Sequence, residues 1–242
     1  MIPALTLRRT DGSLDLDLTE RYAERASCTP ARCFLISGTT GCGEQSRPGE
    51  RAQLLSIWRR MVAVERLVAC CWQEEDIQAA MKLSIQPMVV IRNQASIRQL
   101  LNTLAAIPRE SLVYSHPRYS SITFDVPAAA AARETGVLPC GAKVSKISVD
   151  TVTSLRSITG DAFELWHGSS RNVSLSLKQG ASGVVSTALS SLPDELEESN
   201  LSNFQGIIDR NQSILDDFRH HNERVDFLAA SARRALLHPP GS

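Results

Sequence analysis

The chain has 242 residues, 43% of them hydrophobic, and its 26 Lys and Arg residues balance its 26 Asp and Glu residues. A formal net charge of zero creates no long-range field that would attract DNA, RNA or an anionic membrane, which argues against nucleic-acid and membrane partners. No apolar run approaches the roughly 18 residues of a membrane-spanning helix, and charges interrupt residues 1–22 too often for a signal peptide, so we expect a globular protein.

Eight short apolar runs recur along the chain, and a helical pattern follows each of them. Hydrophobicity within a run is continuous, which is typical of a strand buried on both faces of a sheet. The gaps between runs are about 15 to 30 residues long, the length of a crossover helix with its loops. The predicted strands cover residues 2–7, 33–36, 67–72, 88–91, 112–114, 140–144, 163–166 and 183–189.

The segments between the runs have the spacing of amphipathic helices. Residues 50–62 and 97–107 each place their large apolar side chains on one stripe. Asp125, just before Pro127, predicts a helix start, because Asp caps a helix and Pro is tolerated in the first turn. After Pro193 the pattern is purely helical.

The alternation of strands and helices predicts the α/β class, and eight units in about 240 residues match a compact (β/α)8 TIM barrel. We predict the barrel over residues 1–193 and a short C-terminal helical extension over 194–242, packed on the barrel within the same domain. A doubly wound open sheet is the alternative. Such a sheet would usually carry a Gly-rich phosphate-binding turn after its first strand, and residues 7–10 contain no glycine.

The cysteines and histidines give no metal-binding pattern. No two cysteines have the spacing of a zinc knuckle, and six in 242 residues is not the density of a disulfide scaffold. The histidines that follow apolar runs, His116 and His167, share no ligand spacing. We therefore expect reduced thiols, a cytoplasmic location, and neither a metal nor another cofactor.

Two predicted strand ends carry polar groups, and in a barrel of this type catalytic groups stand at the C-terminal ends of the strands. Gly38, Thr39, Thr40 and Gly41 follow the second strand. Hydroxyl groups between glycines can offer O–H and backbone N–H donors to an oxyanion, although this sequence also forms ordinary turns. The fifth strand ends at Tyr114, and an imidazole, that of His116, follows.

Lys143 lies inside the sixth apolar run, with no Asp or Glu beside it in sequence. Burial disfavours a charged amine, and a lysine that is deprotonated in this way can form a Schiff base with a ketone. Alternatively, Lys143 points outward or lies beyond the strand in water. Lys146 is a rival nucleophile, but three residues further along an extended strand it would face the opposite side.

These segments, in this order, resemble the dihydrodipicolinate synthase / N-acetylneuraminate lyase family of pyruvate-dependent class I aldolases. The resembling residues are the Gly38–Gly41 segment with Glu50 and Arg51 further on, the segment from Tyr114 to Pro117, Gly141 with Ala142 and Lys143, and the Gly-rich approach to the eighth strand from Gly180 to Ser186. The resemblance covers the chain from about Pro3 to Pro193. It implies a (β/α)8 barrel that assembles as a dimer or tetramer.

The resemblance also implies a role for each matching residue. Lys143 would form an imine with the keto carbon of pyruvate or another 2-keto acid, and an aldehyde or related compound would be the acceptor. Tyr114 would be the acid and base of the reaction, and Thr40 would join its proton relay. The remaining candidates would contact the substrate: Gly38, Thr39, Thr40, Arg118 and Ser186.

This sequence departs from the family pattern at several strand ends. Cys42 stands where the family has Glu, no tyrosine follows the fourth strand, and Arg118 follows Tyr114 by four residues instead of five. We therefore expect a different pocket beyond the pyruvate moiety. Three functions remain open: the synthase reaction of lysine biosynthesis, another 2-keto-acid aldolase, lyase or hydratase, and a catalytically decayed barrel that serves as a binding or assembly subunit.

Overall fold

The computed structural model describes residues 1–196 and 201–238, and within them eight parallel strands alternate with helices. The order of the strands in the sheet is their order along the chain. The α/β class that the alternation predicted is therefore confirmed. The strands are β1 (Ile2–Pro3), β2 (Phe34–Ile36), β3 (Leu67–Cys71), β4 (Gln86–Val90), β5 (Leu112–Ser115), β6 (Gly141–Val144), β7 (Glu164–His167) and β8 (Gly183–Val184).

The α-helices follow the strands as predicted, and several have side-chain caps. Asp125 accepts a hydrogen bond from the Ala128 N–H, which satisfies one of the free donors at the helix start. Asp15, Ser96, Ser148 and Asn172 cap other helices in the same way. The α-helices are α1 (Leu16–Ser27), α2 (Pro48–Met61), α3 (Glu74–Lys82), α4 (Ile97–Ala106), α5 (Val126–Glu134), α6 (Val149–Thr159), α7 (Val173–Lys178), α8 (Leu201–Asp216) and α9 (His221–Leu237).

The chain divides into two compact units. The first comprises Met1–Cys70, Glu74–Ile85 and the described part of Ser186–Ser242, and the second comprises Cys71–Gln73 and Gln86–Val185. The core of the first unit centres on Trp58, whose ring contacts Phe34 at 5.3 Å and the edge of Tyr22 at 5.6 Å between centroids. The Tyr22 hydroxyl donates to the Ser190 carbonyl, and burial raises the pKa of this phenol.

The core of the second unit lies between β5 to β7 and the helices α4 to α6. Phe124 and Phe163 stack at 5.8 Å between ring centroids, and small residues of α5, Ala128 and Ala132, are fully buried against them. Small side chains on one helix face allow close approach to the sheet. This explains why α5 is an alanine run.

Two predicted strands were too long. The run over residues 183–189 forms a strand only at Gly183–Val184, and Thr187–Leu189 is a 3-10 turn closed by the Ser190 N–H donating to the Thr187 carbonyl. The run over 2–7 is a strand only at Ile2–Pro3. A short apolar run does not by itself distinguish a strand from a buried turn.

The predicted C-terminal helical segment contains a 3-10 turn (Asp194–Leu196), α8 and α9. Residues 197–200 and 239–242 of that segment lie outside the described residues. Over residues 1–196 and 201–238, no helix combines the length and the apolar character that a membrane crossing requires.

Candidate functional site

One row of side chains runs across β5, β6 and β7 in the second unit. Tyr114 is in register with Lys143, and Lys143 is in register with Trp166. Residues in register on neighbouring strands share one face of the sheet. The next position along this row is Gly183, where a Cβ atom would lie 2.4 Å from the Trp166 ring, so only glycine leaves room for the indole.

The structure buries Lys143 and places its amine against Tyr114. The residue is 5% exposed and lies inside β6, so the alternative of a solvated lysine beyond the strand is wrong. Its Nζ lies 3.8 Å from the centroid of the Tyr114 ring, which is itself 2% exposed. No carboxylate of the described residues forms an ion pair with this amine. The lysine is therefore held by an aromatic ring and not by an acid.

Lys146 differs from Lys143 in both its secondary structure and its exposure to solvent. Strand β6 ends at Val144, and Lys146 is an exposed loop residue with a φ of 62°. We predicted that Lys146 lies on the same strand as Lys143 and faces the opposite side. This prediction was wrong, because the strand ends before Lys146. The two lysines provide a matched pair, one buried and one exposed.

Further aromatic rings continue from Tyr114 through the loop after β5. The Tyr114 ring lies 6.1 Å from Tyr119 and 6.3 Å from His116 between centroids, and both contacts are T-shaped or close to it. Trp72, which follows β3, packs its ring edge-on against Tyr119 at 5.3 Å. The guanidinium of the exposed Arg118 lies over the Tyr119 ring at 5.5 Å.

The imidazole of His116 is neutral in this surrounding. Burial, followed by the positive charges of Lys143, Lys146 and Arg118, lowers its pKa from 6.5 to about 4. Its Nδ1 accepts a hydrogen bond of 2.9 Å from the backbone N–H of Arg118. A neutral ring that accepts at Nδ1 carries its proton on Nε2.

The second histidine that follows an apolar run, His167, has a structural position. It is the last residue of β7, it is 4% exposed, and its Nδ1 lies 2.9 Å from the Ser176 hydroxyl oxygen. Burial lowers its pKa, and a hydrogen bond to the Ile147 backbone acts in the opposite direction. His167 thus ties the end of β7 to the helix that follows it.

The predicted hydroxyl residues lie in the first unit, in a tight loop after β2. The Gly38 carbonyl accepts hydrogen bonds from the backbone N–H groups of Gly41 and Gly43. A Cβ atom at Gly41 would lie 2.6 Å from the Ala4 carbonyl oxygen, so this position requires glycine. The loop therefore packs directly on the segment that follows β1.

The hydroxyl oxygen of Thr40 lies 3.3 Å from that of Thr187, the residue after Ser186. The structure thus brings two of the predicted segments of this unit together. Thr39 is half-buried, and its carbonyl oxygen lies 3.2 Å from Nε2 of His221 in α9. Ser186 is 2% exposed, and its backbone N–H donates to the Met1 carbonyl.

A buried ion pair anchors the rest of the loop after β2. The Arg51 Nε donates to Asp76 at 2.7 Å, and both side chains are nearly inaccessible to solvent. The Arg51 guanidinium also donates to the carbonyls of Gly43 and Ser46. Glu50, the neighbouring residue of the recognised motif, pairs with Arg8 instead. The Glu50–Arg51 motif therefore holds the loop in place from α2.

The candidate residues fall into two groups, one in each unit. Lys143, Tyr114 and Arg118 belong to the second unit, while Gly38, Thr39, Thr40 and Ser186 belong to the first. The sequence motifs missed the ring contact of Trp72 with Tyr119, and its position as the last residue of the predicted strand over residues 67–72 was the available signal. Among the described residues, no three His, Cys, Asp or Glu side chains are grouped as metal ligands.

The similarity of this chain to known proteins is visible in its structure and not in its sequence. No protein-family model matches the chain, and no curated protein matches it in sequence. It is similar to a protein assigned to the dihydrodipicolinate synthase family from Coccidioides immitis, with a TM-score of 0.79 and 21% identity over 98% of this chain and 84% of that one.

Two further structures, one a synthase and one an aldolase, give the same result. Dihydrodipicolinate synthase from Agrobacterium tumefaciens has a TM-score of 0.75 and 18% identity, over 100% of this chain and 88% of that one. The 2-keto-3-deoxygluconate aldolase from Picrophilus torridus has a TM-score of 0.73 and 17% identity, over 96% and 93%. The chain therefore has the TIM-barrel-like α/β fold of these proteins.

Proposed function

We propose that this protein is a Schiff-base-forming lyase or aldolase that acts on pyruvate or another 2-keto acid, with Lys143 as its nucleophile. The observation that carries the proposal is the buried amine of Lys143, held 3.8 Å from the ring centroid of Tyr114 with no ion-paired carboxylate among the described residues. The motif resemblance and the shared fold both support it. An amine in this setting is available to react with a carbonyl group.

The proposed reaction begins with attack of the neutral Lys143 amine on the keto carbon. A carbon–nitrogen bond forms, the keto oxygen leaves as water, and the product is an imine. Loss of a proton from the adjacent carbon gives an enamine, whose electron pair can form a bond to the carbonyl carbon of an aldehyde acceptor. Tyr114, whose ring touches the amine, is proposed to take and return protons during these steps.

The other candidate residues keep their proposed roles on the basis of the sequence resemblance. Thr39 and Thr40 are proposed to bind the substrate carboxylate through hydroxyl and backbone N–H groups, and Thr40 to join the proton relay. Gly38, Arg118 and Ser186 are proposed as further substrate contacts. Replacement of Thr40 by Val tests this assignment, and we expect a raised half-saturating concentration of pyruvate.

Trapping of the imine tests the proposed function. Borohydride adds hydride to the imine carbon and converts it into a stable secondary amine, which mass spectrometry of the intact protein detects. With pyruvate or another 2-keto acid, we expect one adduct per chain in the wild type and in Lys146→Met. The Lys143→Met variant should form none. The Lys146 replacement is the matched control, because it removes a lysine from the same segment without touching the buried amine.

The same experiment decides between catalysis and a binding or assembly role. If no keto acid from a panel gives an adduct, the proposed function is wrong. Stabilisation of the folded chain by a keto acid, without an adduct, would then support the non-catalytic alternative.

We also propose the finer features that the resemblance implies: a closed (β/α)8 barrel, a homodimer or homotetramer, and a cytoplasmic location. Light scattering after size-exclusion chromatography measures the number of chains in the assembly.

A further inference from the structure

His116 follows β5 directly, and its ring is fixed beside Tyr114. The ring centroid of His116 lies 6.3 Å from that of Tyr114 and 5.8 Å from that of Tyr119. Pro117 restricts the backbone conformation of His116, the residue before it. The backbone N–H of Arg118 donates a hydrogen bond to Nδ1 of His116. The position and the tautomer of this imidazole are therefore both set by the loop.

The remaining ring nitrogen, Nε2, carries a proton and has no acceptor within the part of the chain that the structure describes. Over residues 1–196 and 201–238, no group forms a hydrogen bond with it. The ring is only half-buried, so this N–H can reach a molecule that binds next to Tyr114. A half-buried, oriented donor that the fold itself does not use is a feature of sites that recognise a substrate oxygen.

The charges around His116 favour an oxygen with negative charge. Lys146 and Arg118, which lie on the exposed side of the ring's surroundings, are positive, and Lys143 adds a positive charge whenever its amine carries a proton. Burial first, and these charges second, lower the pKa of the ring and keep it neutral, so that it donates a hydrogen bond and does not release a proton. A neutral donor in a positively charged surrounding stabilises an oxygen on which negative charge develops.

We propose that His116 is a specificity-determining residue, which donates a hydrogen bond from Nε2 to the oxygen at the acceptor carbon (C4) of the substrate. This inference rests on the proposed function of Lys143. In the cleavage direction, the bond between C3 and C4 breaks and its electron pair moves into the imine, which becomes an enamine. Tyr114, which gave its proton to the departing water when the imine formed, takes the proton of the C4 hydroxyl, and the hydroxyl becomes an aldehyde oxygen while His116 keeps its own proton.

Borohydride trapping with a matched pair of ligands tests this inference on the full chain. The probes are 4-hydroxy-2-oxoglutarate and 2-oxoglutarate, which differ only in the C4 hydroxyl, and pyruvate, which has no C4 atom. The mass of the adduct distinguishes the intact probe from pyruvate released by cleavage. In the wild type we expect the hydroxylated probe to reach half-saturation at a concentration roughly fivefold to tenfold lower than 2-oxoglutarate.

Two substitutions separate substrate recognition from loop structure. His116→Asn keeps an acceptor for the Arg118 N–H but has no donor at the position of Nε2, so the preference for the hydroxylated probe should disappear. His116→Gln places an amide N–H near that position, so part of the preference should remain. Trapping of pyruvate should be unchanged in both variants. The preference of the wild type should also stay constant between about pH 5 and pH 8, because the imidazole does not gain a proton there.

Each remaining outcome contradicts the inference. Equal half-saturation of the two probes in the wild type shows that the C4 oxygen is not recognised, and an unaltered preference in His116→Asn shows that another group recognises it. The absence of an adduct with every keto acid, pyruvate included, overturns the proposed function and this inference with it. Pyruvate trapping therefore distinguishes the two failures.

Discussion

The buried Arg51–Asp76 pair should be the most sensitive ionic interaction of the first unit. Its side chains are 4% and 3% exposed, and Arg51 also binds the carbonyls of Gly43 and Ser46. Asp76→Ala leaves the guanidinium buried without its carboxylate, which costs about 3 to 5 kcal/mol. For a chain of this length, each kcal/mol lowers the melting temperature by about 2 to 4 °C. We therefore expect a loss of roughly 6 to 20 °C, measured by thermal unfolding at neutral pH.

A matched control is the exposed pair of Arg60 and Glu20, whose side chains are 57% and 46% exposed. Glu20→Ala removes the same kind of partner but should cost less than about 1 kcal/mol, because solvent screens the charges. The double variant Arg51→Met/Asp76→Leu leaves neither charge of the pair buried. Its loss of stability should therefore be smaller than the sum of the losses in the single variants Arg51→Met and Asp76→Leu. Equal losses of stability in Asp76→Ala and Glu20→Ala would show that the buried pair contributes no more to stability than the exposed one.

Three further predictions concern the candidate site and its supports. Tyr114→Phe should slow the exchange of pyruvate methyl protons in heavy water by about 100-fold or more, measured by proton NMR, whereas an unchanged rate would exclude the phenol from proton transfer. Because the pKa of His116 falls from 6.5 in the unfolded chain to about 4 in the folded one, stability should decrease as the pH falls through that interval. His116→Asn should reduce this decrease, as seen in urea midpoints at the two ends of the interval, and an identical decrease would contradict the assignment. Gly183→Ala should cost about 1 to 3 kcal/mol, because its Cβ meets the Trp166 ring. Gly49→Ala meets nothing within 4 Å and is the control, and equal urea midpoints for the two variants would refute the packing argument.

The strand positions were predictable because a parallel strand buried on both faces needs a continuous apolar run. The burial of Lys143 was one of the interpretations that the sequence left open, since its neighbours Ala142 and Val144 are apolar, and the structure decides for it. The end of β8 was not predictable, because apolar residues stand on both sides of Ser186 and Thr187 and only backbone hydrogen bonds turn Thr187–Leu189 into a 3-10 turn.

The ring contacts around Tyr114 could not be predicted from the order of residues. Trp72 and Tyr119 follow different strands, and their edge-on contact depends on the register between distant segments. The neutral state of His116 likewise depends on burial and on nearby basic side chains, of which only Arg118 is close in sequence. The motifs therefore identified which residues could react, and the fold determined their surroundings.

The proposed function depends on which amine of the chain condenses with a keto acid. After reduction with borohydride in the presence of pyruvate, fragmentation mass spectrometry of the peptide that contains Lys143 and Lys146 identifies this amine. We expect a reduced pyruvate adduct on Nζ of Lys143 and an unmodified Lys146. An adduct on Lys146 or on any other amine, with Lys143 unmodified, would contradict the proposed function.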